Sequence, residues 1–181
     1  MHRLSSHRIP KGFRGKSKLY VQLWWFVQAI FIGPSPQVFY GWRRFWLRLF
    51  GARIGKKVLI RPSVKITYPW KVFIGDYSWI GDNVVLYSLG EIEIGSNTVI
   101  SQKSYLCTGS HNYNKKTFDI FAKKITVGNG CWLATDVFVA PGINIGDGAV
   151  IGARSSVFKN IEINTINIGS PTKHIGNRTN A

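Results

Sequence analysis

From Ile54 onward aliphatic residues recur at every sixth position, usually followed by glycine or a small polar residue. IGKKVL, IRPSVK and ITYPWK fill 54–71. After Val72 and Phe73 come IGDYSW, IGDNVV and LYSLGE at 74–91. Ile92 and Glu93 precede IGSNTV, ISQKSY and LCTGSH at 94–111, and the frame returns at Val127 with six more hexamers through 162. The two-residue insertions fall after every third hexamer, so the pattern predicts coils of three hexamers, with a structural period of eighteen residues. Each hexamer supplies a short strand, whose aliphatic residue points inward, and a corner that glycine or a small residue allows. A fixed internal period marks a solenoid, whose units bury a face only by stacking on one another. Five coils at the usual strand spacing of about 4.8 Å make a three-sided prism roughly 24 Å tall. A doubly wound sheet is excluded, because no helical segments lie between the predicted strands.

The frame breaks between LCTGSH and Val127. The polar, basic stretch there predicts an excursion loop over about 112–126, leaving the prism at a corner. The domains expected are an amino-terminal segment over 1–53, the solenoid over 54–168 and a tail over 169–181.

The amino-terminal segment has its own pattern. Residues 1–18 are polar and basic and read as an irregular arm. Residues 19–33 are mostly apolar and end at Pro34 and Pro36. In 37–50, Val38, Trp42, Phe45, Trp46, Leu49 and Phe50 repeat at helical spacing, with Arg43, Arg44 and Arg48 off that stripe. Two readings stay open. Rings flanked by arginine suit a membrane interface. They equally suit a cap over one end of the prism, with arginine facing solvent and the tail covering the other end.

Charge sharpens the division. Residues 1–61 hold 13 basic residues and no acidic one, whereas the remaining 120 carry 11 basic and 8 acidic. That excess also raises nucleic acid, but no nucleic-acid motif accompanies it. Hydrophobic residues at 45% exclude a disordered chain. No apolar run reaches the roughly 18 residues of a membrane-spanning helix, and GPSP at 33–36 is a poor signal-peptide cleavage site. Cys107 and Cys131 form neither a disulfide framework nor a zinc spacing, which fits a reducing, cytoplasmic setting. Neither has a motif partner that would make it a nucleophile.

His111 closes the last hexamer before the excursion. From position alone it is a hydrogen-bonded turn residue or a general base, and both readings stand. Imidazole, titrating near neutrality, suits the removal of a proton from an attacking hydroxyl or amine.

The hexamers resemble the left-handed β-helix of the hexapeptide-repeat acyltransferases. The left hand comes from that resemblance, since the general rule for β crossovers gives a right hand. The likeness extends outside the repeat. IPKGFRG at 9–15, VQLWW at 21–25, SPQV at 35–38, RLFGARIGK at 48–56, RPSVKITYPWK at 61–71, ISQKSYLCTGSH at 100–111 and CWLATDVFVAPG at 131–142 strongly resemble bacterial colanic-acid biosynthesis O-acetyltransferases. The resemblance implies an all-β fold with a short helical, aromatic amino-terminal segment. It implies a homotrimer that moves an acetyl group from acetyl-CoA to a sugar hydroxyl during exopolysaccharide assembly. The acceptor would be a glycan or lipid-linked sugar, at the cytoplasmic face of the membrane, with peripheral contact through residues 1–61.

It also implies roles. His111 is the general base. Trp132 flanks the acetyl group, Thr135 steadies the thioester oxygen, and Ala153 leaves room for the pantetheine arm. Lys159 and Lys173 meet the nucleotide phosphates, the latter within IGSPTK, which resembles the family's closing motif. Asn112 and Tyr113 fall on the acceptor side. Where the galactoside enzymes carry an acceptor-orienting asparagine this chain has Gly81, with Asn83 a weak substitute. No metal is expected, and the carbonic anhydrases that share the prism need three histidines, of which the hexamer region offers only His111. Amine acetylation and a non-enzymatic scaffold are the alternatives.

Overall fold

The computed structural model describes residues 4–179. From Arg53 the chain winds through short parallel strands that stack into three sheets, the faces of a prism of about six turns. The first face carries Arg53–Ile54, Val72–Ile74, Ile92–Ile94, Ile125–Val127 and Asn144–Ile145. The second runs from Leu59–Ile60 to Thr165–Ile168, and the third from Lys65–Ile66 to Ser156–Val157. Ile60, Ile74, Ile80, Leu86, Ile100, Leu106, Leu133 and Ile151, all hexamer-leading residues, are buried along the axis.

The coil length differs from the eighteen residues expected. Arg53 pairs with Phe73 and Phe73 with Glu93, a step of twenty; only after Val127 does it become eighteen, with Thr126 opposite Asn144. The extra residues gather on one corner, where the third face turns into the first. There the chain makes a 3-10 turn at Pro69–Lys71, then a second turn at 88–91, then the long excursion. The excursion is an antiparallel hairpin of Gly109–His111 with Ile120–Ala122, and the prism resumes at Ile125. It therefore begins and ends a little earlier than the 112–126 loop anticipated, because Gly109 and Ser110 already pair across the hairpin rather than along the prism.

The glycines after the leading aliphatics have a reason other than the one expected. A Cβ on Gly81 would lie 2.7 Å from the Gln102 nitrogen of the next coil, so glycine provides clearance between coils. The left-handed corner position comes two residues later and is occupied by ordinary residues, among them Asn83 (φ 57°), Asp136 (φ 61°) and Arg154 (φ 57°).

Two helices, α1 (Lys18–Val27, with a π turn to Ile32) and α2 (Tyr40–Leu49), cover the first coil. The Ser17 hydroxyl caps α1 by accepting from the Tyr20 N–H. Trp24 is buried, and its indole N–H donates to the Ile66 carbonyl at 2.9 Å. The arginines of α2 are not the purely solvent-facing set the sequence suggested: Arg43 is buried, Arg44 is half-buried, and Arg48, though exposed, is tied to the prism. Arg43 is fully buried and donates to the carbonyls of Ile60 (2.6 Å), Pro36 (2.8 Å) and Gln37 and to the Ser35 hydroxyl (2.9 Å). Arg44 donates to Val58 O, and Arg48 to Ile54 O and Gly55 O. The first coil has no preceding strand to receive its carbonyls, so guanidinium groups take that place. At the far end Lys173–Asn177 folds back antiparallel on Thr165–Ile168 and adds a strand to the second face.

Candidate functional site

His111 ends the first strand of the hairpin and pairs with Ile120. The turn beyond it is tightly bonded. Asn112 N–H donates to Asp119 O (2.9 Å), Phe118 N–H to Lys115 O (3.0 Å), and the Lys115 ammonium sits 2.9 Å from Asp119. The Thr117 hydroxyl, then Lys115, hold the Asp119 carboxyl below the usual carboxylate range. Phe118 adopts a left-handed backbone (φ 48°), an unfavourable conformation for an aromatic residue. That geometry turns its carbonyl back onto His111. The histidine Nδ1 lies 3.0 Å from Phe118 O, and the two rings stack at 4.3 Å, 7° from parallel. A carbonyl only accepts, so Nδ1 carries a proton, and in the neutral ring Nε2 is the nitrogen with the lone pair. The ring is half-buried on the hairpin edge, held in one orientation and one tautomer.

A second imidazole shares that carbonyl. His7 Nδ1 lies 3.1 Å from Phe118 O and 3.4 Å from Thr117 O, with its ring 5.6 Å from that of His111. The arm that delivers it follows the hairpin edge. The Trp70 indole donates to Arg14 O (2.8 Å), and the Lys71 ammonium to Phe13 O (2.7 Å) and Leu89 O. Phe13, Val21, Tyr68, Leu89, Ile120 and Ala122 form a small apolar cluster beneath the hairpin. Nothing in the sequence pointed to His7, since the contact spans 111 residues and no local pattern announces it.

The other candidates divide between two edges and the second face. Asn112 and Tyr113 adjoin His111, half-buried and exposed respectively. Lys159 is exposed on the same corner two coils further along, after Ser156–Val157. Thr135 and Ala153 instead stack on the corner between the second and third faces, where Arg154 N–H donates to Thr135 O at 2.8 Å. The Thr135 hydroxyl donates to Gln102 O (3.1 Å). Asn83 lies on that stacked edge two coils earlier, exposed, its N–H on the Ser63 hydroxyl. Trp132 stands half-exposed on the second face, its indole donating to the Ser101 hydroxyl at 3.1 Å. Lys173 is exposed at the end of that face, opposite Ile168. Between the hairpin edge and the stacked edge lies the third face, about five residues or roughly 16 Å of extended chain. One protomer does not bring the two groups together.

The thiols are quiet. Cys107 and Cys131 donate to carbonyls of Gly109 and Gly146, and burial pushes both above the ordinary thiol range. Among the described residues no three of His, Cys, Asp and Glu are grouped to hold a metal ion.

No protein-family profile matches the chain. Individual proteins do. WcaF of Escherichia coli (strain K12), described as a colanic acid biosynthesis acetyltransferase, is 62% identical over 178 residues, 98% of each chain, and its Shigella flexneri counterpart is equally similar. Galactoside O-acetyltransferase of Escherichia coli is 30% identical over 127 residues, 68% of this chain and 63% of that one. Among solved structures, a galactoside acetyltransferase in complex with coenzyme A superposes with a TM-score of 0.83 at 23% identity, over 94% of this chain and 84% of that one. A hexapeptide-repeat acetyltransferase of Vibrio cholerae with acetyl coenzyme A bound gives 0.82 at 21%, over 90% and 89%. With its left-handed parallel β-helix and near-full-length identity to the colanic acid biosynthesis proteins, the chain belongs to the hexapeptide-repeat acetyltransferases.

Proposed function

We propose that the enzyme transfers the acetyl group of acetyl-CoA to a sugar hydroxyl during assembly of an exopolysaccharide, as the name of its 62%-identical relative suggests, with His111 as general base. The observation that carries this reading is the Nδ1 bond of His111 to Phe118 O, which leaves Nε2 free to accept a proton. As the sugar oxygen attacks the thioester carbonyl, its proton passes to Nε2. When the C–S bond breaks, that proton returns to the departing sulfur, so no covalent enzyme intermediate is needed.

The remaining roles are those the resemblance implies. The Thr135 hydroxyl proton is given to Gln102, so the backbone N–H is the donor for the developing oxyanion. Ala153, exposed and small, leaves the stacked edge open for the pantetheine arm. Trp132 walls the acetyl group, Lys159 and Lys173 meet the phosphates, and Asn112, Tyr113 and Asn83 contact the acceptor. A cyclic trimer about an axis along the prism makes heterologous contacts, so unlike edges of neighbouring copies face each other. The hairpin edge of one protomer then meets the stacked edge of the next.

The test is product analysis with acetyl-CoA and paired acceptors, one a neutral oligosaccharide and one an amino sugar. The expected product is a base-labile ester on the neutral sugar. Exclusive formation of an alkali-stable amide would move the enzyme to amine acetylation, and no product with either would leave a scaffold.

A further inference from the structure

The helical cap is apolar on the side the fold does not use. Along α1 the buried stripe is Val21, Trp24 and Val27. Leu19, Leu23, Phe26 and, one turn on, Ile30 repeat at the same spacing on the reverse side and are exposed, Leu19 by 80%. The inversion is stronger in α2. Its inward positions include the buried Arg43, while Trp42, Phe45 and Leu49 point outward, Leu49 59% exposed. Ring contacts join the two outward faces, Phe26 to Phe31 (6.4 Å), Phe31 to Trp42 (6.5 Å) and Trp42 to Phe45 (6.4 Å). A surface helix ordinarily turns charge outward and apolar residues inward. Here the cations are consumed by carbonyls and the rings are left outside, a continuous patch of the kind that marks an interaction surface.

Charge identifies the occupant. No carboxylate occurs before Asp76. Lys16 and Lys18, at the start of α1, are exposed, as are Lys56 and Lys57, beside the Gly55 carbonyl that Arg48 holds. A second copy docked through this face would bring like charges together, whereas an anionic lipid surface complements both the rings and the lysines. Among the described residues no helix is long and apolar enough to cross a membrane, so contact is with the surface.

We infer that this face docks on an anionic bilayer, with Leu23, Phe26, Phe45 and Leu49 at the boundary of headgroups and acyl chains and the four lysines on lipid phosphates. The inference stands apart from the acetyl-transfer reading.

The experiment is co-sedimentation of the full chain with vesicles of phosphatidylcholine alone and of equal parts phosphatidylcholine and phosphatidylglycerol, at low and high salt. Binding to anionic vesicles is expected to exceed binding to neutral ones by about tenfold or more and to weaken with salt. The variant Leu23→Gln/Phe26→Gln/Phe45→Gln alters exposed positions only and is expected to lose about tenfold at an unchanged melting temperature. A charge variant, Lys16→Gln/Lys18→Gln/Lys56→Gln/Lys57→Gln, gives a second reading independent of the rings and is expected to lose the anionic preference. Wild-type protein that stays in the supernatant overturns the inference. So does undiminished binding by either variant, or a change of oligomeric state in the ring variant without vesicle binding by the wild type. Acetyl transfer to a water-soluble acceptor is expected to be unchanged in both variants, so failure here and failure of the proposed activity are read separately.

Discussion

Along the stacked edge Gln102, Thr135 and Ala153 hold the same place in successive coils, tied by Asp136 N–H to Gln102 O (2.9 Å) and Arg154 N–H to Thr135 O (2.8 Å). Along the hairpin edge no two corners are alike. A 3-10 turn, a second turn and a fourteen-residue hairpin succeed one another, and the amino-terminal arm fills the space beneath them. The regular edge yields evenly spaced backbone groups and small side chains, a rail suited to an extended ligand. The irregular edge yields one oriented side chain, His111, whose geometry depends on a strained residue and on contacts from more than a hundred residues away. In the proposed reading, repetition supplies binding length and its interruption supplies the reactive group.

Four measurements sharpen that contrast. His111→Ala is expected to lower acetyl transfer by about two to four orders of magnitude. Coenzyme A affinity by calorimetry should change little, because that ligand is assigned to the other edge; turnover within a few-fold of wild type would remove the base. Next come two glycines. Gly81→Ala on the stacked edge puts Cβ 2.7 Å from backbone and is expected to cost about 3 kcal/mol. Gly109→Ala on the hairpin edge meets side chains only, the terminal Leu89 Cδ1 at 2.6 Å and the Tyr87 ring at 3.2 Å, and is expected to cost less, about 1 to 2 kcal/mol. Denaturant unfolding decides between them, and equal costs would deny that the two edges differ in stiffness. Smallest is His7→Ala. As a positioning residue, His7 is expected to contribute about two- to tenfold in kcat. The melting temperature should hold, and His7→Gln, whose amide also donates to Phe118 O, should restore the rate. Loss of stability in step with rate would reduce His7 to packing.

The repeat was legible because each buried aliphatic residue advertises itself at a fixed interval; Ile74, Ile80, Leu86, Ile100 and Leu106 all lie where the hexamers put them. His111 was legible as a residue at an exit from the prism, and the geometry adds the Phe118 carbonyl that orients it. Arg43 was not, since the unpaired carbonyls of a first coil leave no mark in composition, and an arginine between aromatic residues reads as surface. The return strand Lys173–Asn177 was hidden for a related reason. It is exposed at all but Gly176, so no alternation of apolar and polar residues singles it out. The contact of His7 with the hairpin joins residues 111 apart and was invisible locally.

The fourth measurement bears most directly on the claim that the two edges meet across protomers. His111→Ala and Ala153→Trp, the latter blocking the stacked edge, each remove activity alone, and the two chains are then co-assembled by refolding an equal mixture. In a trimer with heterologous contacts, random mixing leaves about a quarter of the sites with both intact halves, so activity is expected to return to roughly that fraction of wild type. A mixture as inactive as its parents would contradict the account, because His111 and Ala153 would then serve one site within a single chain.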